Sequence, residues 1–141
     1  MKVLLTRIWL ICVAVYPILA ACIQIVDFSY WNKEIVRELV SLDAPPSIIR
    51  QIHQKMLRDE LDSGFTYSNM RLRRSVLVVG RSSSGKEFLN SFCHELRHLV
   101  DDISRIWELS LSGEPVAYLT GDIALELSDI VCKMSCDHCR Y

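Results

Sequence analysis

The sequence lacks an excess of charge of either sign. Lysine and arginine together number 16, aspartate and glutamate 17, and the formal net charge is −1. A nucleic-acid-binding protein depends on a strong basic field, so this balance argues against that class. The sequence also lacks internal repeats and low-complexity tracts. With 141 residues, of which 50% are hydrophobic, it predicts one ordered domain that does not need its six cysteines for stability.

An apolar run long enough to span a membrane comfortably is also missing. Residues 1–23 are mostly apolar, but Pro17 interrupts them. The favoured interpretation is a buried β-strand over Ile8–Tyr16 that ends at Pro17, in a cytoplasmic protein. The alternative is a lipoprotein signal, because Leu19–Cys22 resembles a lipobox. In that case the protein would be exported and held at a membrane by a lipid on Cys22.

Hydrophobic periodicity predicts the element order β-α-α-β-β-α-α and therefore an α+β fold, with a small sheet and helices packed on it. The most regular helix runs from Lys86 to about Trp107, and the last helix opens at Glu114. We expect one apolar stripe to bury the long helix, formed by Leu89, Phe92, Leu96, Leu99, Ile103 and Ile106.

The segment from Gly80 to Lys86 nearly matches a phosphate-binding loop, since a strand precedes it and a helix follows it. Position 87 is glutamate, however, where the magnesium-binding hydroxyl should stand. A carboxylate there would also oppose the phosphates at a helix N-terminus. The glycines and serines are better explained as a turn and a helix cap, and we expect no bound nucleotide.

The motif HELRH, by contrast, predicts a metal site. His94 and His98 are four residues apart, so both imidazoles leave the same face of the helix and can share one tetrahedral Zn²⁺. Glu95 lies about 100° round the helix, where a carboxylate can act as general base on a zinc-bound water. The apolar stripe points away from both histidines, so we expect them to face out of the core.

A third zinc ligand should come from another element. Glu114 is the best candidate, because it follows His98 by sixteen residues, beyond a turn and at the head of the next helix. Asp122 is the reserve. Asp102 suits a hydrogen bond to a ligand better than ligation itself, and His138 is a distant candidate.

The carboxyl-terminal cysteines Cys132, Cys136 and Cys139 are close together in sequence. Free thiols at a helix end are the favoured interpretation. A second structural zinc that also uses His138 is an alternative.

HELRH, a short connection and GEPVAYLTGD together resemble the small gluzincin-type metallopeptidases. Residues 64–126 are similar to an uncharacterised family of compact zincin-like proteins of gut bacteria and their phages or mobile elements. The resemblance implies one Zn²⁺ on His94, His98 and Glu114, with Glu95 as catalytic base. It also implies a short sheet packed on the HExxH helix, followed by the ligand-bearing helix.

The sequence as a whole thus predicts a single zincin-like domain over residues 1–141. Residues 1–60 form a strand and two helices, and residues 61–141 form the metal-binding core. The predicted function is zinc-dependent hydrolysis of peptide bonds, with a protein or peptide as substrate. The alternative is a non-catalytic, zinc-stabilised module of a phage or mobile element that binds a protein.

Overall fold

The computed structural model describes residues 2–6, 9–17, 28–58, 64–81 and 84–135. These residues form an α+β structure, which confirms the predicted class. The elements are β1 (Lys2–Thr6), β2 (Trp9–Pro17), α1 (Phe28–Ser41), α2 (Pro46–Leu57), β3 (Gly64–Asn69), β4 (Arg74–Arg81), α3 (Gly85–Ile106), α4 (Glu114–Glu126) and α5 (Ser128–Ser135).

The four strands form one mixed sheet in the order β1-β2-β4-β3. The pairs β1–β2 and β3–β4 are antiparallel, whereas β2 and β4 run parallel. A parallel pair needs a crossover connection, and the chain between β2 and β3 contains α1 and α2. Strand β3 therefore lies at one edge of the sheet, next to β4.

Strand β4 is buried on both faces of the sheet. Val76 and Val78 pack in one apolar cluster with α1 and α2. Leu77 and Val79 pack in a second cluster with α3, α4 and the adjoining Leu127. Two buried faces explain why β4 reads as a continuous apolar run rather than as an alternating one. The predicted packing of the sheet on the long helix is present, and α1 and α2 cover the opposite face.

The buried stripe of α3 differs from the predicted one at its first position. Leu89 is 45% exposed, whereas Phe88 is 1% exposed and takes the place assigned to Leu89. Steps of three or four residues connect the buried Phe88, Phe92, Leu96, Leu99 and Ile103, and Val100 beside Leu99 is buried as well. Leu89 lies about 100° away from Phe88 on the helix and so turns towards solvent.

Two predicted regions each contain one more element than expected. The additional strand β1 precedes β2, which corresponds to the predicted amino-terminal strand, and pairs antiparallel with it. The last helix ends at Glu126, and α5 begins at Ser128. Serine and aspartate favour helix starts over helix interiors, which fits a break immediately before Ser128 and Asp129.

The predicted amino-terminal strand is confirmed over residues 9–17, with Pro17 as its last residue. The lipobox and Cys22 lie outside the described residues, as do Cys136, His138 and Cys139. Within the described part of the chain, no helix is both long and apolar enough to cross a membrane.

Strand β3 begins at a position that only glycine fits. Gly64 has a φ of +130°, and a Cβ atom added to it would lie 1.9 Å from the carbonyl oxygen of Val78. We predict that Gly64→Ala lowers the free energy of unfolding by at least about 2 kcal/mol, because both the backbone conformation and the clash oppose a side chain. Urea unfolding followed by circular dichroism measures the change.

Gly121 provides the matched control. It lies inside α4 with no atom within 4 Å of an added Cβ. Gly121→Ala should raise the free energy of unfolding by about 0.5–1 kcal/mol, since alanine restricts the unfolded chain and favours helix. Equal stability of Gly64→Ala and the wild type would contradict the steric argument.

Candidate metal centre

Helix α3 carries the candidate metal ligands, and its start is capped by a side chain. Ser84 is the N-cap, and its hydroxyl accepts a hydrogen bond of 3.2 Å from the backbone N–H of Glu87. Glu87 lies in the first turn, where the helix dipole favours negative charge. The segment that resembles a phosphate loop thus supplies a helix cap through Ser84, as the sequence predicts for its serines.

The structure brings His94 and His98 together on the exposed face of α3. Their Nε2 atoms are 3.2 Å apart. Their ring centroids are separated by 4.9 Å, and the rings meet edge to face at 74°. Both side chains are exposed, which confirms that they face out of the core.

The separation of the two nitrogens fits a shared zinc ion. With Zn–N bonds of about 2.0–2.1 Å and tetrahedral angles, two ligand nitrogens lie about 3.3–3.4 Å apart. The observed 3.2 Å differs little from that value. Two neutral imidazoles at this distance can also share a hydrogen bond, with one Nε2–H donating to the other ring.

Glu95 is placed differently from the two histidines on either side of it. It is only 2% exposed, and its Oε2 accepts a hydrogen bond of 2.8 Å from the hydroxyl of Thr66 on β3. The carboxylate thus lies between α3 and the edge strand. Sequence reasoning missed Thr66, since this contact joins residues 29 positions apart and no local pattern marks it.

Glu114 stands at the first position of α4, as predicted, and its side chain is exposed. Gly113 immediately before it has a φ of +87°, so the chain turns sharply into the helix. Among the described residues, no three His, Cys, Asp or Glu side chains converge to hold a metal ion. The structure thus pairs the two histidines but does not place Glu114 with them, and ligation by Glu114 stays a prediction.

Arg97 connects the histidine helix to the segment that leads to Glu114. Its Nε lies 3.0 Å from a carboxylate oxygen of Asp101, and its Nη2 lies 3.5 Å from the carbonyl oxygen of Leu111. The connection between α3 and α4 therefore passes beside the outer face of α3.

The other candidate residues lie apart from the histidine pair or in different contacts. Asp102 lies one helical turn beyond His98, and its Oδ1 is 3.8 Å from Nη1 of Arg105. Asp122 is exposed on α4, and His53 is exposed on α2, which packs on the other face of the sheet. Cys132 is exposed and forms no disulfide with another described residue, and its role stays a prediction.

The chain matches no protein-family model, no curated protein and no solved structure. Function therefore has to be inferred from the side chains of α3 and from the elements around them.

The histidine pair generates a prediction about metal binding. We expect the wild type to bind one Zn²⁺ per chain, and His94→Ala or His98→Ala to raise the Kd for zinc at least about 100-fold. Loss of a partner that merely orients a ligand costs about 10- to 100-fold in metal affinity, so loss of the ligand itself should cost more. Competition with a chelating dye measures the Kd.

His53→Ala is the control, because it removes an exposed histidine on the other face of the sheet. Its Kd for zinc should equal that of the wild type. Undiminished zinc binding by His94→Ala would show that the pair is not the metal site.

Proposed function

We propose that the protein is a zinc-dependent metallopeptidase of zincin-like architecture. His94, His98 and Glu114 hold one Zn²⁺, and Glu95 is the general base. The observation that carries the proposal is the pair of Nε2 atoms 3.2 Å apart, with a glutamate held in place one residue after the first histidine. Two nitrogens at that distance suit a zinc ion, and a carboxylate held in place on the same helix suits proton transfer.

When bound, zinc polarises the peptide carbonyl and lowers the pKa of water. Glu95 takes a proton from the attacking water and later delivers it to the leaving amine. One oxygen of its carboxylate accepts the hydrogen bond from Thr66. The other carboxylate oxygen, Oε1, is the proposed acceptor of the transferred proton.

The position of β3 supports a peptide as substrate. In the described sheet β3 pairs with β4 alone, so its other edge is open for an added strand. Thr66 connects this strand directly to Glu95 of α3. An extended peptide bonded to the open edge of β3 would therefore run alongside the helix that carries the histidines.

The pairing of β2 supports retention of the amino-terminal segment, which the proposed cytoplasmic location requires. Residues Leu10 to Pro17 pair in register with Arg74 to Arg81 along β4. Cleavage before Cys22 would remove both β1 and β2 from the sheet and leave β4 paired only with β3. Retention of the segment keeps β4 between two partners.

Glu95→Gln is the direct test of the mechanism. We expect this variant to keep its zinc and to lose at least about 100-fold in kcat, since an amide cannot accept the proton. Cleavage of a quenched-fluorescence peptide library gives kcat, and metal analysis gives the zinc content. Full activity of Glu95→Gln would refute the assigned base.

The same experiment tests the alternative function. A wild-type protein that binds one zinc and cleaves no member of the library would support a non-catalytic, zinc-stabilised protein-binding module. In that case Glu95→Gln would change the stability of the fold and no catalytic rate.

The third ligand needs its own comparison, between Glu114→Ala and Asp122→Ala. Both side chains are exposed acids on α4, at its first position and two turns later. We expect Glu114→Ala to raise the Kd for zinc at least about tenfold and Asp122→Ala to leave it unchanged. Chelator competition gives both values. The reverse result would assign the third ligand to Asp122.

A further inference from the structure

Thr66 makes the contact that fixes the proposed general base. Its hydroxyl lies 2.8 Å from Oε2 of Glu95 and 3.2 Å from the backbone carbonyl oxygen of the same residue. A hydroxyl has a single proton to donate. Oε2 makes the shorter contact, and an ionised carboxylate oxygen is a stronger acceptor than a backbone carbonyl oxygen.

The position of Thr66 in the sheet makes it a rigid donor. It pairs across the antiparallel ladder with Leu77, which is fully buried. Its neighbours Phe65 and Tyr67 pack against the cluster formed with α1 and α2, so Thr66 faces the opposite side, towards α3. A β-branched side chain on a strand has few available rotamers, and the direction of the hydroxyl is accordingly restricted.

Glu95 needs such a donor for two reasons. A glutamate side chain has several rotatable bonds, and an unfixed carboxylate would sample many positions relative to the histidines. Glu95 is also 2% exposed, and a buried carboxylate is costly unless hydrogen bonds satisfy it. A single donor on Oε2 meets part of this requirement and leaves the other oxygen for proton transfer.

We propose that Thr66 is a positioning residue of the active site: its hydroxyl fixes the carboxylate of Glu95 in the orientation that receives a proton from water. The proposal rests on the proposed peptidase function. Thr66 itself does not contact the substrate carbonyl or the metal in this role and acts through Glu95.

The test uses the full-length, zinc-loaded protein with Thr66→Val, Thr66→Ser and a control. Valine keeps the shape and removes the hydroxyl, whereas serine keeps the hydroxyl. Ser68→Ala is the matched control, because Ser68 lies two residues further along β3 and its hydroxyl contacts Ser75 at 2.7 Å instead of Glu95.

We expect Thr66→Val to lower kcat at least about tenfold, with KM and the Kd for zinc within about threefold of the wild type. Thr66→Ser should restore kcat to within about threefold, and Ser68→Ala should leave it within about twofold. A merely structural role would lower the stability of the fold and would not lower kcat while leaving KM and zinc affinity unchanged. An unchanged kcat in Thr66→Val, or an equal loss in Ser68→Ala, would overturn the proposal.

A second measurement separates failure of this proposal from failure of the proposed function. Urea unfolding of the zinc-free wild type, Thr66→Val, Glu95→Ala and the double variant forms a double-mutant cycle, because alanine removes the acceptor whereas glutamine would keep one. We expect the two residues to be coupled by at least about threefold in the unfolding equilibrium constant. Absence of coupling would overturn the contact itself, whether or not the protein cleaves peptides. Coupling in a protein that cleaves no peptide would confirm the contact and overturn its catalytic role.

Discussion

The burial of one face of α3 against β4 is the constraint on which the rest of the structure depends. Phe88, Leu99 and Ile103 on the helix are almost completely buried, as are Leu77 and Val79 on the strand. Each Å² of apolar surface removed from water contributes about 25 cal/mol, so rotation of the helix about its axis would expose these side chains at a large cost. The interface therefore holds the helix in one rotational setting. That setting determines which side chains face solvent, and it is the reason that both histidines share the exposed side.

The same setting forces Glu95 to the border of the buried face. Glu95 lies about 100° from His94 on the side that faces the sheet, and its carboxylate is buried and turned towards β3. The edge position of β3 then has two consequences. The strand supplies the hydroxyl of Thr66 to the buried carboxylate, and no other described strand pairs with its second edge. Gly64 contributes to the edge position of β3, because it allows the start of the strand to approach Val78 closely.

Features encoded locally could be predicted from the sequence, and features that depend on distant contacts could not. The periodicity of α3 gave its bounds to within one or two residues, and the i, i+4 spacing gave the proximity of His94 and His98. The exchange of Leu89 for Phe88 depends on how the helix is rotated against the sheet. The hydrogen bond between Thr66 and Glu95 depends on the order of the strands in the sheet, and a short stretch of sequence carries no information about that order.

The proposed metal site shows this difference between local and distant features most clearly. Two histidines four residues apart are brought together by helix geometry, and their Nε2 atoms lie 3.2 Å apart in the structure. A third ligand on α4 depends on the packing of Val116 and Ile123 and on the turn at Gly113. Metal binding that recruits such a ligand adds its free energy to the docking of α4 on α3, since the ion then bonds to both helices. If Glu114 is the third ligand, zinc would therefore stabilise the contact between α3 and α4 more than the contact between α3 and the sheet.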